Sequence, residues 1–462
     1  MSQTPFSTLK LKPGLLSNLS TLGYETMTPI QAQSLPHILA GKDVIAQGKT
    51  GSGKTAAFGL GLLENLNVKR FRIQTLVLCP TRELADQVAT EIRRLARGIH
   101  NIKVLTLCGG VPFGPQVGSL EHGAHIVVGT PGRVDEHLRK GTLRLDDLNT
   151  FVLDEADRMM EMGFQEAVED IVDLMPEQRQ TLLFSATFPE EIKSITQRIM
   201  LEPVMVKVEF KHDELSIKQH FYKVDDNDQR LTAVRLLLLQ HRPESTVIFC
   251  NTKKDAQEVA DELHHFGFSV MALHGDLDQR DRDQTLVRFS NKSVSILVAT
   301  DVAARGLDID SLDAVINYHI ARDPEIHIHR IGRTGRAGSK GIACSLISDK
   351  ESHKVIALGN YLDIAIEGEP LPSINVLDKP VFGPEMATLQ IEGGKKQKVR
   401  PGDILGALTG EKGVAGNQVG KINVFDSWAY VAVKREVTQI ALKKLGQGQL
   451  KGRSFRIRLI RD

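Results

Sequence analysis

The chain has 462 residues, 41% of them apolar, a length that exceeds what one hydrophobic core supports and predicts about three domains. Its four cysteines, Cys79, Cys108, Cys250 and Cys344, sit in or beside apolar runs with no Cys-x-x-Cys spacing, which argues against a disulfide framework or a zinc site and for buried free thiols. The net charge of +1 hides an asymmetry: from Gly383 onward fifteen Lys and Arg face seven Asp and Glu, a surplus of +8 that leaves −7 on the rest, so a nucleic-acid-binding tail is expected on an acidic body.

In chain order, residues 1–12 lack the apolar core of a signal peptide, and no apolar run reaches the ~18 residues of a membrane span. A cytoplasmic protein with no membrane partner is expected. Residues 43–47 form an apolar strand that leads into Gly48-Lys49-Thr50-Gly51-Ser52-Gly53-Lys54-Thr55 and then a helical stretch, which is the context of a phosphate-binding loop as well as its spacing. Gly48, Thr50, Gly51, Ser52 and Gly53 let backbone amides approach phosphates; Lys54 reaches the β- and γ-phosphates and Thr55 offers a hydroxyl to Mg²⁺. A chance glycine-rich turn is the alternative.

Further strands are expected at 76–79, 125–128, 151–153 and 181–184, separated by amphipathic helical patterns such as 83–97. That alternation implies a parallel sheet, whose ligands bind outside the carboxyl ends of the strands. Each run ends in a polar knot: Pro80-Thr81-Arg82-Glu83, Gly129-Thr130-Pro131-Gly132-Arg133, Asp154-Glu155-Ala156-Asp157 and Ser185-Ala186-Thr187. Asp154 suits an Mg²⁺-supporting carboxylate and Glu155 the residue that orients or deprotonates an attacking water, although an acidic strand end also serves as a helix cap.

After a charged linker at 209–215, strands are expected at 246–250, 295–298 and 314–317, with no second phosphate loop. Such a domain binds something else or completes the first domain's site. His329-Arg330-Ile331-Gly332-Arg333-Thr334-Gly335-Arg336 favours completion, with Arg333 and Arg336 as arginine fingers on a γ-phosphate; contacts to RNA phosphates are the other option.

These motifs, together with Gly109-Gly110 and residues 299–308 (Ala-Thr-Asp-Val-Ala-Ala-Arg-Gly-Leu-Asp), stand in the order found in DEAD-box RNA helicases, and the chain resembles that family from about residue 6 to about 347. The resemblance implies two RecA-like domains, 1–208 and 216–367. It implies that Gln31, in Thr28-Pro29-Ile30-Gln31, reads the adenine edge and that Phe6 stacks on the base, although Phe6 is also readable as ordinary core. Ser185 and Thr187 would couple nucleotide state to domain closure, Asp308 would lie at the ribose, and Arg333 and Arg336 at the phosphates. RNA would lie on Pro80, Thr81, Arg82, Gly110, Thr130 and Arg133 in the first domain and on Thr252, Gly275 and Thr300 in the second. Contacts to phosphate and sugar carry no sequence information, so the core is expected to bind RNA nonspecifically.

A proline-bearing linker is expected at 368–383, followed at 384–462 by the element order βαββαβ of a small α+β RNA recognition motif, ferredoxin-like in topology. Trp428 and Tyr430 fall where such domains stack bases, although Asp426 replaces a basic residue, the first strand lacks its aromatic, and both rings are also readable as core. The segments around Gly393-Gly394-Lys395-Lys396 and Arg400-Pro401-Gly402-Asp403 resemble the tail of a bacterial branch of the family directed to a hairpin of 23S ribosomal RNA, where Lys395, Lys396, Lys398, Arg400 and Lys421 outrank the rings. The expected protein is an RNA-dependent ATPase and helicase using ATP and Mg²⁺, monomeric in its core, acting on a 23S hairpin with neighbouring duplex in pre-50S particles. An ATP-latched RNA clamp and a DNA translocase are the rivals.

Overall fold

The computed structural model describes residues 4–48, 51–208, 217–304, 312–334, 341–410 and 413–460. The chain divides into two compact units, one holding a first sheet and the other holding a second sheet and a small C-terminal domain.

The first sheet has seven parallel strands: β1 (Val44–Gln47), β2 (Thr75–Leu78), β3 (Val104–Leu107), β4 (Ile126–Gly129), β5 (Thr150–Asp154), β6 (Gln180–Ser185) and β7 (Val204–Lys207), in the order β3-β4-β2-β5-β6-β1-β7. Helices cover both faces, so the interior strands are apolar on both sides. Val44, Ala46, Val77, Val152 and Phe184 enter one core, and Ile45, Leu76, Leu78, Phe151, Leu153 and Leu183 the other. Five of the seven strands coincide with the expected apolar runs. The two that do not, β3 and β7, are the sheet's edges, where half-exposed positions break the run.

The second sheet is six-stranded and parallel: β8 (Ile217–Lys223), β9 (Thr246–Cys250), β10 (Val270–Leu273), β11 (Ile296–Thr300), β12 (Ala314–Asn317) and β13 (Gly341–Ile347), in the order β10-β11-β9-β12-β13-β8. Three of these strands, the edges β8 and β10 and the interior β13, were not among the expected runs. All four cysteines are buried and unpaired.

Residues 368–383 are not free chain. Glu369 bridges Tyr222, the turn Ile374–Asp378 is helical, and Leu371, Val376, Leu377 and Phe382 pack on the core of the second sheet, with the Arg242 guanidinium 5.3 Å from the Phe382 ring. Four apolar side chains spaced along this stretch make it a strap, which corrects the expectation of a linker.

The C-terminal domain has the expected order: β14 (Met386–Ile391), helix Pro401–Thr409, β15 (Val419–Val424), β16 (Ala429–Lys434), helix Thr438–Gln447 and β17 (Ile457–Leu459), an antiparallel sheet ordered β15-β16-β14-β17. Leu389, Ile391, Val431 and Val433 face its helices, meeting Ile404, Leu408, Ala441 and Leu445. The opposite face carries Thr388, Gln390, Tyr430 and Ala432, yet these too are buried. The segment 279–293 of the second sheet's domain lies against them: the Thr388 hydroxyl meets Asn291 Nδ2 at 2.8 Å and Ser293 Oγ at 2.6 Å, and the Arg280 guanidinium stands 5.6 Å from the Trp428 ring. No helix among the described residues is long and apolar enough to cross a membrane.

Candidate active site and nucleic-acid interface

Because every strand of the first sheet is parallel, the residues that follow each strand collect on one edge, and the strand order sorts them. Pro80, Thr81 and Arg82 follow β2, Gly110 follows β3 and Thr130 follows β4, three neighbouring strands; the phosphate loop follows β1, Asp154 ends β5 with Glu155 directly after it, and Ser185 ends β6, the next three. The second sheet repeats half of this layout, with Gly275 after β10, Thr300 ending β11 and Thr252 after β9. Candidate nucleotide groups and candidate RNA groups thus occupy adjoining halves of one sheet edge.

The phosphate loop ends at Gly53, whose backbone is left-handed at φ +92° and where a side chain would meet Gln31 Nε2 at 2.4 Å. Only glycine fits there, and it opens the helix Lys54–Asn65 so that its first amides face the loop. Lys54 is buried and its Nζ donates to Gly48 O at 2.9 Å; Thr55 is half-buried on the first turn. The loop is clamped from the other side: Gln31 Nε2 donates to Gly53 O at 3.1 Å and Thr28 Oγ1 to Ser52 O at 2.8 Å, while Gln31 Oε1 accepts from Thr28 N at 2.9 Å. Both hydrogen-bonding ends of the Gln31 amide are therefore engaged with the loop and its own helix cap. Phe6 is 2% exposed and packs edge-on against Tyr24. Thr50 lies outside the described residues.

Asp154 is 2% exposed, and burial pushes its carboxyl up to about 7, helped by Glu155 and opposed by the Lys54 ammonium. Its Oδ1 is buried with no hydrogen-bond donor among the described residues. Such an orphaned oxygen, facing the same end of the sheet as the Thr55 hydroxyl, suits a hard cation that keeps most of its ligands from phosphate and water. Glu155 follows in left-handed backbone, φ 55°, and pairs with Arg158. Asp157 links this strand to the next: its Oδ2 accepts from Thr187 N and from Thr187 Oγ1, both at 2.9 Å, and its own N–H donates to Ser185 Oγ at 3.2 Å. Burial alone would raise the Asp157 carboxyl, but the Thr187 amide, the Lys54 charge and Ser185 together hold it below the usual range. Asp157 was quoted in the motif without a role; the structure makes it the joint between the acidic strand end and Ser185-Ala186-Thr187.

On the RNA half, Thr81 caps the helix Arg82–Leu95 by accepting from Leu84 N at 3.3 Å, Gly110 is an exposed left-handed turn residue at φ +75°, and Thr130 precedes the helix Pro131–Arg139. Sequence reasoning missed Gln116 and His137, which tie these loops together. Gln116 Nε2 donates to Cys108 O at 2.9 Å; its Oε1 accepts from Arg133 Nη1 at 3.1 Å and from His137 Nε2 at 2.9 Å. Arg133 also donates to Val111 O at 3.0 Å. Burial and the Arg133 charge push His137 down to about 4, so it is neutral, with the proton on Nε2. A lone glutamine nine residues after a strand carries no signal in the sequence.

In the second unit Arg330, 1% exposed, is a further missed residue. It donates to Asp301 Oδ1 and Oδ2 at 2.6 and 2.8 Å, to Asn251 Oδ1 at 2.9 Å and to His319 O at 2.8 Å. It stood inside the quoted arginine motif, and that adjacency was its only signal. Arg333 is buried, Thr252 caps the helix Lys253–His265 by accepting from Asp255 N at 3.1 Å, and Gly275 is exposed. Asp308 and Arg336 lie outside the described residues.

In the C-terminal domain Lys395, Lys396, Lys398, Arg400 and Lys421 are exposed. The first two are held by their amides, Lys395 N to Phe425 O at 2.8 Å and Lys396 N to Asp426 O at 2.9 Å. Tyr430 is 0% exposed, which leaves no ring face for a base, and Trp428 is half-buried between Phe425 and Arg280. The expectation that Tyr430 stacks on RNA does not fit this arrangement, because the chain's own segment 279–293 occupies that face.

Comparison with known proteins matches residues 28–195 to the DEAD/DEAH box helicase family, 229–338 to the helicase conserved C-terminal domain and 388–459 to the DbpA RNA binding domain. The chain is 54% identical over 459 residues to the ATP-dependent RNA helicase DbpA of Escherichia coli (strain K12), covering 99% of this chain and 100% of that one. It is 42% identical over 386 residues to the DEAD-box ATP-dependent RNA helicase CshA of Bacillus subtilis (strain 168), covering 83% of this chain and 77% of that one. Among solved structures, S. cerevisiae Dbp5 bound to RNA and ADP BeF3 superposes with a TM-score of 0.71 at 31% identity, covering 80% of this chain and 96% of that one. The chain belongs to the DEAD-box ATP-dependent RNA helicases, in the DbpA-like group that carries a C-terminal RNA-binding domain.

Proposed function

We propose that this RNA helicase is directed by its C-terminal domain to 23S ribosomal RNA, a hairpin with neighbouring duplex in a pre-50S particle, and that it acts as a cytoplasmic monomer in large-subunit assembly. The observation that carries this reading is the exposed basic loop of Lys395, Lys396, Lys398 and Arg400, pinned by backbone hydrogen bonds beside a sheet face already covered. The functional divisions are 1–208, 216–367 and 384–462.

In the chemistry we assign, loop amides and Lys54 bind the ATP phosphates and Gln31 braces the loop, while Phe6, covered by Tyr24, supports this region as a core ring. Thr55 and Asp154 would hold Mg²⁺, which when bound supplies charge neutralisation on the β- and γ-oxygens. Glu155 orients the attacking water, and Arg333 and Arg336 stabilise charge as it builds on the transferred phosphoryl group; Asp308 takes the ribose. Asp157 transmits the state of that strand end to Ser185 and Thr187. RNA meets, through phosphate and sugar, Thr81, Gly110, Thr130 and Arg133 on the other half of the first sheet's edge, and Thr252, Gly275 and Thr300 on the second sheet's own edge. Specificity is left to the tail.

The test replaces Lys395, Lys396, Lys398 and Arg400 with Gln in the whole chain and follows ATP turnover against a 23S hairpin fragment and a scrambled RNA of equal length. The expected outcome is roughly a tenfold or larger rise in half-saturation for the hairpin fragment alone, a shallower salt dependence, and unchanged turnover at saturating RNA. A variant that keeps its preference for the hairpin overturns the assignment of specificity to this loop.

A further inference from the structure

We propose that Arg158 is a positioning residue for ATP hydrolysis that acts through Glu155; this rests on the reading of Glu155 as the group that orients water. Glu155 leaves the end of β5 at φ 55° and ψ 50°, left-handed backbone that a residue with a side chain adopts only when its surroundings hold it there. The direction of its side chain is therefore set by local pinning and not by the alternation of the sheet. The backbone is pinned on the far side by Asp157 N donating to Ser185 Oγ at 3.2 Å and Arg158 N to Asp157 Oδ1 at 3.1 Å. The carboxylate is pinned by Arg158, whose Nη1 lies 2.7 Å from Glu155 Oε2, with the two side chains 7% and 5% exposed.

A glutamate has three side-chain torsions, and a water-orienting carboxylate must keep its water-facing oxygen aimed within a fraction of an ångström. A planar guanidinium bonded to one oxygen, away from solvent, settles where the other oxygen points. Removing that partner leaves the carboxylate in place chemically but not in orientation, and a misplacement of about 1 Å at a reacting group costs on the order of 10²-fold in rate. Arg158 holds Glu155 and takes no part in the bond changes. Its effect is thus expected on turnover and not on binding.

The experiment uses the full chain and compares Arg158→Ala, Arg158→Lys, Glu155→Gln and the Glu155→Gln/Arg158→Ala double variant in single-turnover hydrolysis at saturating RNA, with ATP affinity, RNA half-saturation and melting temperature measured alongside. The expected result is a roughly 10- to 100-fold loss in Arg158→Ala with both affinities within about twofold, partial recovery in Arg158→Lys, and no further loss when Arg158→Ala is added to Glu155→Gln, the non-additivity of two groups acting as one. Wild-type turnover in Arg158→Ala overturns the proposal, as does an equal factor of loss in the Glu155→Gln background, which would give Arg158 a purely structural role. Should Arg158→Ala fail to fold, Arg158→Met, which keeps the apolar stem, takes its place with the same criteria. Near-normal hydrolysis in Glu155→Gln is a separate result that removes the underlying reading of Glu155.

Discussion

The two parallel sheets are built alike but treat the polar groups at their strand ends differently. In the first, the end of β5 is left with unspent capacity: Asp154 Oδ1 is buried without a donor among the described residues, and Glu155 sits in costly left-handed backbone. In the second, the ends of β9, β11 and β12 are sewn together by Arg330, which reaches Asn251, Asp301, Asn317 and His319. Burying a polar atom without a partner costs about 1–3 kcal/mol, a cost that a ligand at Asp154 would repay. A saturated knot, by contrast, is a brace. The same kind of edge thus carries a carboxylate oxygen without a donor in one sheet and a fully bonded guanidinium in the other.

The largest effect expected is at the unsaturated end. Glu155→Gln keeps the size of the side chain and its bond to Arg158 but weakens the water-orienting oxygen, so steady-state ATP turnover should fall on the order of 10³-fold while ATP and RNA still bind. An unchanged rate would erase the distinction between the two edges. At the saturated end the loss should be in stability. Arg330→Ala leaves the half-buried Asp301 without its cation and Asn251 without its donor, a loss of about 1–3 kcal/mol. Urea denaturation followed in the second unit should show this, and a variant with wild-type stability would show that the knot is not a brace.

A smaller change is expected at Gly53. An added side chain there would be strained by φ +92° and would meet Gln31 Nε2 at 2.4 Å, a penalty of about 1–3 kcal/mol for the backbone alone. Gly53→Ala should weaken ATP binding about tenfold or more, read by titration with a fluorescent ATP analogue, with RNA half-saturation little changed. The smallest effect is acid sensitivity, which the two units should share. Burial pushes His137 in the first unit down to about 4 and His327 in the second down to about 3, in each case with a neighbouring arginine adding to the shift. Both lie below the unfolded value of about 6.5. The unfolded chain then binds more protons below pH 6.5, so these histidines contribute stability that is present above that pH and lost as it falls toward their folded values. Denaturation midpoints at pH 7 and pH 5 should differ, and His137→Gln should flatten the difference in the first unit only.

Much of the nucleotide site was legible in the chain because its signals are local. The glycine spacing and the lysine and threonine that follow encode a strand, a turn and a helix N-terminus within a dozen residues, and Asp154-Glu155 stands directly after an apolar run. Interior strands announced themselves in the same way, since burial on both faces demands continuous apolar sequence, as at Phe151-Val152-Leu153. The edge strands β3, β7, β8 and β10 did not, because one side of an edge need not be apolar, and neither did the interior β13, Gly341–Ile347, whose run is interrupted by Ser345. Gln116, His137 and Arg330 went unread for a different reason: each works through at least one partner distant in sequence, Arg133 lying 17 residues from Gln116 and Asn251 79 residues from Arg330.

The sequence by itself determined the parallel-sheet class, a phosphate-loop pattern after the first strand with none in the second sheet, and a basic α+β domain after both. Tertiary structure alone decided the order β3-β4-β2-β5-β6-β1, which parts the RNA candidates from the nucleotide candidates along one edge. It decided too that residues 368–383 are a strap and that Tyr430 is covered. A ring on a strand has two possible faces to lie on, and which one is free depends on what the rest of the chain packs there; Asn291, Ser293 and Arg280 settle that for Tyr430 from about 140 residues away, a distance over which no local pattern carries information.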